Sequence, residues 1–256
     1  MTWSIIARDN TTGQIGIAVA TKFFGVGARV PHIAAGIGGI ATQALVNPYY
    51  GIDGVKLLRE GRPPPDIIET LIAADSGRES RQLHIMDATG RIAAHTGREC
   101  VDWCGHLNGD GFSIAGNMLA GAGVLDDTAK AYAANDALPF AQRLIAAMKA
   151  GEAAGGDKRG KQSAALLIYG EEEWSDLDLR VDDHTDPLAE LERLEAVSRE
   201  RWVHFRAFLR MRRNDSRHLG SRAFPRRSAS AGIICSWRLL ARQALLPPSH
   251  RLPRDR

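Results

Sequence analysis

A threonine directly after the initiator methionine offers the most distinctive chemistry in this chain. Removal of Met1 is expected when the next residue is small, and Thr2 qualifies. The mature chain would then carry a hydroxyl and an α-amine on one residue. A threonine hydroxyl is a weak nucleophile until a base takes its proton. An α-amine, with a reference pKa of about 7.7–8.0, is partly neutral near pH 7 and can accept it. Nucleophile and base would thus come preassembled on one Cα. The plain alternative is that Thr2 only opens an edge strand.

Other residues could support such a nucleophile. A cation near the Thr2 amine would favour its neutral form by like-charge repulsion; Lys22, at the end of the second predicted strand, is the candidate, or else an ordinary surface lysine. Asn117, in Gly116-Asn117-Met118, stands between a predicted strand and a predicted helix. Its amide can donate to an oxyanion or cap the helix, and Gly116 would let backbone approach a ligand. Gln43 sits on an otherwise apolar strand, so it needs a buried partner or a site. Arg29 and Arg81 are candidates for binding a substrate carboxylate. Asn47, before Pro48, reads as a turn residue.

Cys100, Cys104 and His106, with His84 and His95 upstream, raise the question of a metal. The spacing C-x3-C-x-H lies near zinc patterns, but no second well-spaced pair follows, and a structural site wants four good ligands. The reading is two reduced cysteines beside Trp103 in a packed loop, with no metal and no cofactor expected. Gly25-Val26-Gly27 and Gly36-Ile37-Gly38-Gly39 do not stand on strand-to-helix turns, so they read as turns and not as nucleotide fingerprints.

The elements that must position these residues follow from periodicity. Thr2–Asp9 and Gln14–Thr21 predict a hairpin, with Ile15, Ile17 and Val19 on one face. Ala28–Ala35 and Ile40–Val46 predict a second pair. Helices are expected over Gly51–Glu60 and Asp66–Ala74, then strands over Arg81–Asp87, Arg91–Thr96 and Gly111–Ala115. Two helices, about Leu119–Asn135 and Pro139–Glu152, precede strands Ser163–Tyr169 and Leu177–Val181. Asp186–Arg212 predicts a long amphipathic helix with Pro187 in its first turn. Antiparallel hairpins rule against a doubly wound parallel sheet. Two stacked antiparallel sheets flanked by helices, an α+β fold of four αββα layers, would cover strands this poor in charge on both faces.

Several stretches carry a resemblance. They are Thr2-Trp3-Ser4-Ile5-Ile6-Ala7-Arg8-Asp9, Gly16 through Gly27, and Ala41-Thr42-Gln43-Ala44-Leu45-Val46-Asn47-Pro48-Tyr49-Tyr50-Gly51. Arg81-Gln82-Leu83, the Thr96-Gly97 turn and Gly111 through Gly121 complete the set. Over about residues 2–212 the chain resembles the DUF1028 family, whose biochemical function is unassigned. The resemblance implies the αββα sandwich of the N-terminal nucleophile hydrolases. It also implies that Thr2 lies at the mouth between the sheets, in an amidohydrolase acting on a small amide or peptide-like substrate. A cyclohydrolase-like enzyme without a nucleophile, or a small-metabolite binding module, would use the same fold differently.

Charge divides the chain. The net +3 combines +7 over residues 214–256 with −4 over residues 1–213. The body is mildly acidic, so its composition gives no argument for nucleic acid. The Arg-, Ser- and Pro-rich tail reads as a disordered extension, with one stretch, Ile233–Leu246, able to form a short basic helix. No apolar run approaches a membrane span, and no secretory signal is visible at the start. Three cysteines do not make a disulfide framework. The expected setting is the cytoplasm and the expected partner a small-molecule substrate, with no nucleic acid and no membrane; self-association into a homo-oligomer is left open.

Overall fold

Alternation of side chains along the strands builds the molecule as layers. The computed structural model describes residues 2–206 and 209. Among the described residues, ten strands form two antiparallel sheets. The larger takes β1 (Thr2–Arg8), β2 (Ile15–Thr21), β7 (Gly105–Gly109), β8 (Phe112–Asn117), β9 (Ser163–Tyr169) and β10 (Leu177–Val181), in the order β10-β9-β2-β1-β8-β7. The smaller takes β3 (Pro31–Ala34), β4 (Gly38–Ala44), β5 (Arg81–Asp87) and β6 (Ile92–Thr96), in chain order. The strand β1 is central, with Thr2 opposite Asn117 and Trp3 opposite Ala20.

Period-two alternation sends successive residues to opposite faces. On β1 and β2, Trp3, Ile5, Ala7, Ala18 and Ala20 face an outer core. That core is filled by α3 (Gly123–Ala134), α4 (Phe140–Ala153) and α5 (Pro187–Phe205) through Val124, Leu144, Met148 and Leu191. Ile6, Ile15, Ile17 and Val19 face inward, onto Ala41 and Met86 of the smaller sheet. The outer face of that sheet, with Ile40, Leu83 and Ile85, packs on α1 (Pro48–Arg59) and α2 (Pro64–Ala73) through Tyr50, Leu58, Ile67 and Leu71. These are the four expected αββα layers.

Several boundaries shift for local reasons. Gly25, in the left-handed region at φ 65, opens a short 3-10 turn over Val26–Ala28, so β3 starts at Pro31 and not at Ala28. The strand β4 ends at Ala44, whose φ of 68 turns the chain away before Val46. Asn47 caps α1, its side chain accepting from Tyr49 N–H at 3.1 Å, and Pro48 takes the first helical turn. Met118 has φ 57 and Leu119 bridges to Asp157, which delays α3 to Gly123. Asn117 therefore ends a strand and caps no helix. Strand β7 was not anticipated: it is short, glycine-bounded and at a sheet edge. The last residues of the expected Asp186–Arg212 helix, and the tail with its Ile233–Leu246 stretch, lie outside the described residues. No described helix is long and apolar enough to cross a membrane.

Candidate functional site

The inner layer between the sheets changes character along its length. Towards one end, inward positions become polar: Thr2 and Ser4 on β1, Gln43 on β4, Gln82 and His84 on β5, Ser113 and Asn117 on β8. All are buried; Thr2 is 5% exposed and Gln82 0%. Buried polar groups of this kind must find partners, and here they find each other.

Gln82 is the centre. Its Nε2 donates to Gly116 O at 2.8 Å and to Gly105 O at 2.9 Å, with Thr96 Oγ1 also at 2.9 Å. Its Oε1 accepts from Gln43 Nε2 at 2.8 Å and from Asn117 Nδ2 at 3.0 Å. Both of those nitrogens also reach the main-chain carbonyl oxygen of Thr2, Asn117 at 3.3 Å and Gln43 at 3.4 Å. Thr2 Oγ1 donates to Thr21 Oγ1 at 3.3 Å across the β1–β2 pair. Deeper in, Ser4 Oγ donates to Gln43 Oε1 at 2.7 Å and lies 2.9 Å from His84 Nε2. His84 Nδ1 lies 2.9 Å from Ser113 Oγ. Burial, with added repulsion from His106, pushes the His84 ring down to about 3, so it is neutral.

Backbone strain marks the same end. Among the described residues, Ala44 and Met118 are the non-glycine positions with positive φ. Each directly follows a residue whose amide reaches Thr2: Gln43 for Ala44, Asn117 for Met118. Left-handed backbone at a residue with a Cβ costs about 1–2 kcal/mol, and such strain collects at functional sites. Exposed apolar side chains stand beyond the same strand ends: Phe23 and Phe24 after β2, Leu45 after β4, and Val101, whose carbonyl accepts from Met118 N–H at 2.7 Å.

The structure thus brings Thr2, Gln43 and Asn117 together. Both N–H groups of Asn117 are engaged, which leaves neither for an oxyanion in this arrangement. Lys22 does not direct its ammonium to Thr2; exposed, it donates to Lys161 O at 3.2 Å, while its backbone N–H binds Asp157 at 2.8 Å. Arg29 is exposed, close to the Gln43 end of β4, because Thr42 N–H donates to Val30 O at 3.1 Å. Arg81 is tied down elsewhere: it pairs with Asp75 at 3.1 Å and donates to Leu45 O. Burial raises the Asp75 carboxyl, but the Gly77 N–H, the Asn47 amide and Arg81 outweigh it and hold that carboxyl at about 2. Arg81 therefore shapes the turn after β4.

Cys100 and Cys104 belong to a loop over the end of β8. Cys104 Sγ donates to Cys100 O at 3.4 Å, and His106 Nδ1 lies 3.0 Å from Thr96 Oγ1. Burial and the neighbouring Cys104 push the Cys100 thiol up to about 11, and burial with Asp102 raises Cys104. Neither thiol is poised as a thiolate nucleophile. Among the described residues, no three His, Cys, Asp or Glu side chains gather as a ligand set. A groove on the outer helices, between α3 and α4, offers only Asp127 and Lys130 as charged groups, and these pair with each other at 3.0 Å.

A family described as "Family of unknown function (DUF1028)" matches residues 2–191, from the threonine at the polar end to the first turns of α5. The chain belongs to the DUF1028 family. Among solved structures it is similar to protein SPO2555 from Silicibacter pomeroyi, also assigned to DUF1028, with 37% identity and a TM-score of 0.72 over 77% of this chain and 88% of that one. It also aligns with Anbu, the ancestral beta-subunit from Yersinia bercovieri, at 11% identity and a TM-score of 0.37, over 82% of this chain and 98% of that one. No curated protein matches it. Sequence reading of this DUF1028 chain missed Gln82 as the hub and gave His84 and Ser4 no place in the site. The available signal was the one used for Gln43: polar residues alternating with buried apolar ones, as in Gln82-Leu83-His84-Ile85 and Trp3-Ser4-Ile5.

Proposed function

We propose that this protein is an amide-bond hydrolase of the N-terminal-nucleophile type, acting on a small amide or peptide-like substrate through Thr2. One observation carries the reading: Gln43 and Asn117, from opposite sheets, converge on the carbonyl of Thr2 at the start of the central strand. Two buried amides held on one main-chain oxygen fix the position of the residue that bears it. A threonine that only opened a strand would not need such a hold.

Processing supplies the chemistry. Loss of Met1 turns the Thr2 nitrogen into an amine and shortens the chain where substrate must enter. Thr2 Oγ then attacks the scissile carbonyl, and its proton passes to the Thr2 amine. The amine returns that proton to the leaving nitrogen as the C–N bond breaks, leaving an ester on Thr2. Water, deprotonated by the same amine, cleaves the ester and releases the acid. Asn117 and Gln43 position the nucleophile, and stabilisation of the oxyanion falls to backbone N–H groups. Lys22 and Arg29, exposed at this end, are available for a substrate carboxylate, and Phe23, Phe24 and Leu45 for its apolar part.

A peptide epoxyketone tests this directly, because it closes a ring only on a residue carrying both an amine and a hydroxyl. Intact mass should show Met1 absent and one adduct, located on the N-terminal peptide. Thr2→Ala should remain folded and take no adduct. Retention of Met1, or equal labelling of Thr2→Ala, would exclude Thr2 as the nucleophile.

A further inference from the structure

Donor and acceptor roles in the polar network can be worked out from its fixed ends. Gly105 O and Gly116 O are backbone carbonyls and can only accept. They lie 2.9 Å and 2.8 Å from Gln82 Nε2, so the nitrogen of this amide must face them. Turning the amide round would set Oε1 against two carbonyl oxygens. Gln82 Oε1 therefore points the other way and must accept. Gln43 and Asn117, at 2.8 Å and 3.0 Å, must then turn their nitrogens towards it. Each nitrogen has one N–H left, and each of these meets Thr2 O.

The order continues inward. With its nitrogen committed, Gln43 offers Oε1 to Ser4, whose single proton must go there. Ser4 Oγ can then only accept from His84, so Nε2 carries the ring proton. The buried ring is neutral, so Nδ1 accepts from Ser113 Oγ–H. Ser113 Oγ also lies 2.8 Å from Asn108 Oδ1; with the Ser113 proton given to His84, this exposed amide must be reversed so that its nitrogen faces Ser113.

We infer that this network has one proton order, set at Gln82, and that Gln82 is a positioning residue which holds Thr2 for reaction by forcing Gln43 and Asn117 to aim N–H groups at its carbonyl. This deepens the Thr2 reading and rests on it for its catalytic meaning; the proton order stands independently. Amide order is otherwise degenerate, since either end of a glutamine fits the same space. Backbone carbonyls remove that degeneracy, because their role cannot change. No substrate contact by Gln82 is required, as it is buried behind the two amides it orients.

Two measurements on the full chain test the inference. Nitrogen-15 NMR of the histidine rings in the wild-type protein near neutral pH should show His84 neutral and protonated on Nε2. A ring protonated on Nδ1, or on both nitrogens, overturns the proton order. The second uses Gln82→Met, which keeps the side chain's length but presents no oxygen to accept from Gln43 and Asn117 and no donor for the two glycine carbonyls. With folding checked by circular dichroism, the carbon-13 resonance of the Thr2 carbonyl should move upfield as its donors turn away. Epoxyketone labelling at Thr2 should slow on the order of tenfold or more, since small misplacement of a reacting group carries such penalties. An unmoved carbonyl resonance with wild-type labelling overturns the positioning role, whatever the change in stability. Should the wild-type chain take no label, the nucleophile reading fails, while the ring and carbonyl resonances still decide the proton order and its reach to Thr2.

Discussion

The inner layer is one surface made two ways, and the changeover happens within single strands. Strand β1 contributes Ser4 to the polar half and Ile6 to the apolar half; β5 contributes Gln82 and His84 to one and Met86 to the other; β4 contributes Gln43 and Ala41. All of these side chains are buried. In the apolar half, cohesion comes from burial, about 25 cal/mol per Å² removed from water, and depends on volume more than on identity. In the polar half, each hydrogen bond adds little net stability, but each lost partner strands a buried group. The first region resists change in proportion to size, and the second resists any change of chemistry. A fold under no functional demand could extend the apolar half to the end of the strands; on β1 this one stops two inward positions short, at Ser4 and Thr2.

The largest expected effect follows from that difference. Gln82→Leu keeps size roughly constant but removes donors from Gly105 O and Gly116 O and an acceptor from Gln43 and Asn117. With four groups stranded at about 1–3 kcal/mol each, the loss should be at least about 4 kcal/mol. Ile17→Val, a change of one methylene in the apolar half, should cost about 1 kcal/mol. Urea denaturation of both variants measures the contrast. Equal costs would mean that the two halves obey one rule.

A smaller effect should appear with pH. The folded His84 pKa of about 3 lies below its ordinary value of 6.5. Between the two, the unfolded chain binds a proton that the folded chain refuses. Stability is therefore fully present above 6.5 and falls as the pH drops from there towards 3. One proton corresponds to a slope of at most about 1.4 kcal/mol per pH unit, or about 2 kcal/mol between pH 7 and pH 5. Burial also lowers His32 and His106, which adds the same sign, so the informative quantity is wild type minus His84→Gln. That difference should shrink as pH falls, because the variant lacks the slope. A constant difference would show that the ring is not held neutral by the folded layer.

Much of this architecture was legible because burial writes itself into alternation. Ile15, Ile17 and Val19 announced the inner face of β2, and the helix stripes of α1, α2 and α5 announced the outer layers. Gln43 stood out by the same rule read backwards, a polar side chain where an apolar one was due. Gln82 and His84 obeyed that rule equally but were not picked up. Lys22 shows the opposite limit: chain proximity to Thr21 placed its backbone correctly, but a lysine side chain is long, and where the ammonium lands depends on acceptors such as Lys161 O that no local pattern encodes. Strand β7 was hidden because an edge strand of five residues with two glycines has neither strong alternation nor β-branched content. The left-handed turns at Ala44 and Met118 were invisible in principle, since neither residue type favours that conformation.

Those two turns give the smallest and most discriminating prediction. At the turns of the opposite end, positive φ is carried by glycine, as at Gly13 and Gly36, where no Cβ is strained. Directly after Gln43 and Asn117 it is carried by alanine and methionine, so the fold bears strain beside the two amides that hold Thr2. Ala44→Gly removes a penalty of about 1–2 kcal/mol and adds back the greater freedom of glycine in the unfolded chain, about 0.4–1 kcal/mol. The net should be a gain of roughly 0.5–1 kcal/mol, read as a higher urea midpoint with an unchanged slope. Gly36→Ala, at the same φ with no atom within 4 Å of the added carbon, should lose about as much for the same reason in reverse. A gain at one and a loss at the other would establish that the polar end carries strain which the apolar end avoids by using glycine. A loss at both would mean that the Ala44 methyl earns its place by packing, and the contrast between the two halves would then lie in hydrogen bonding alone.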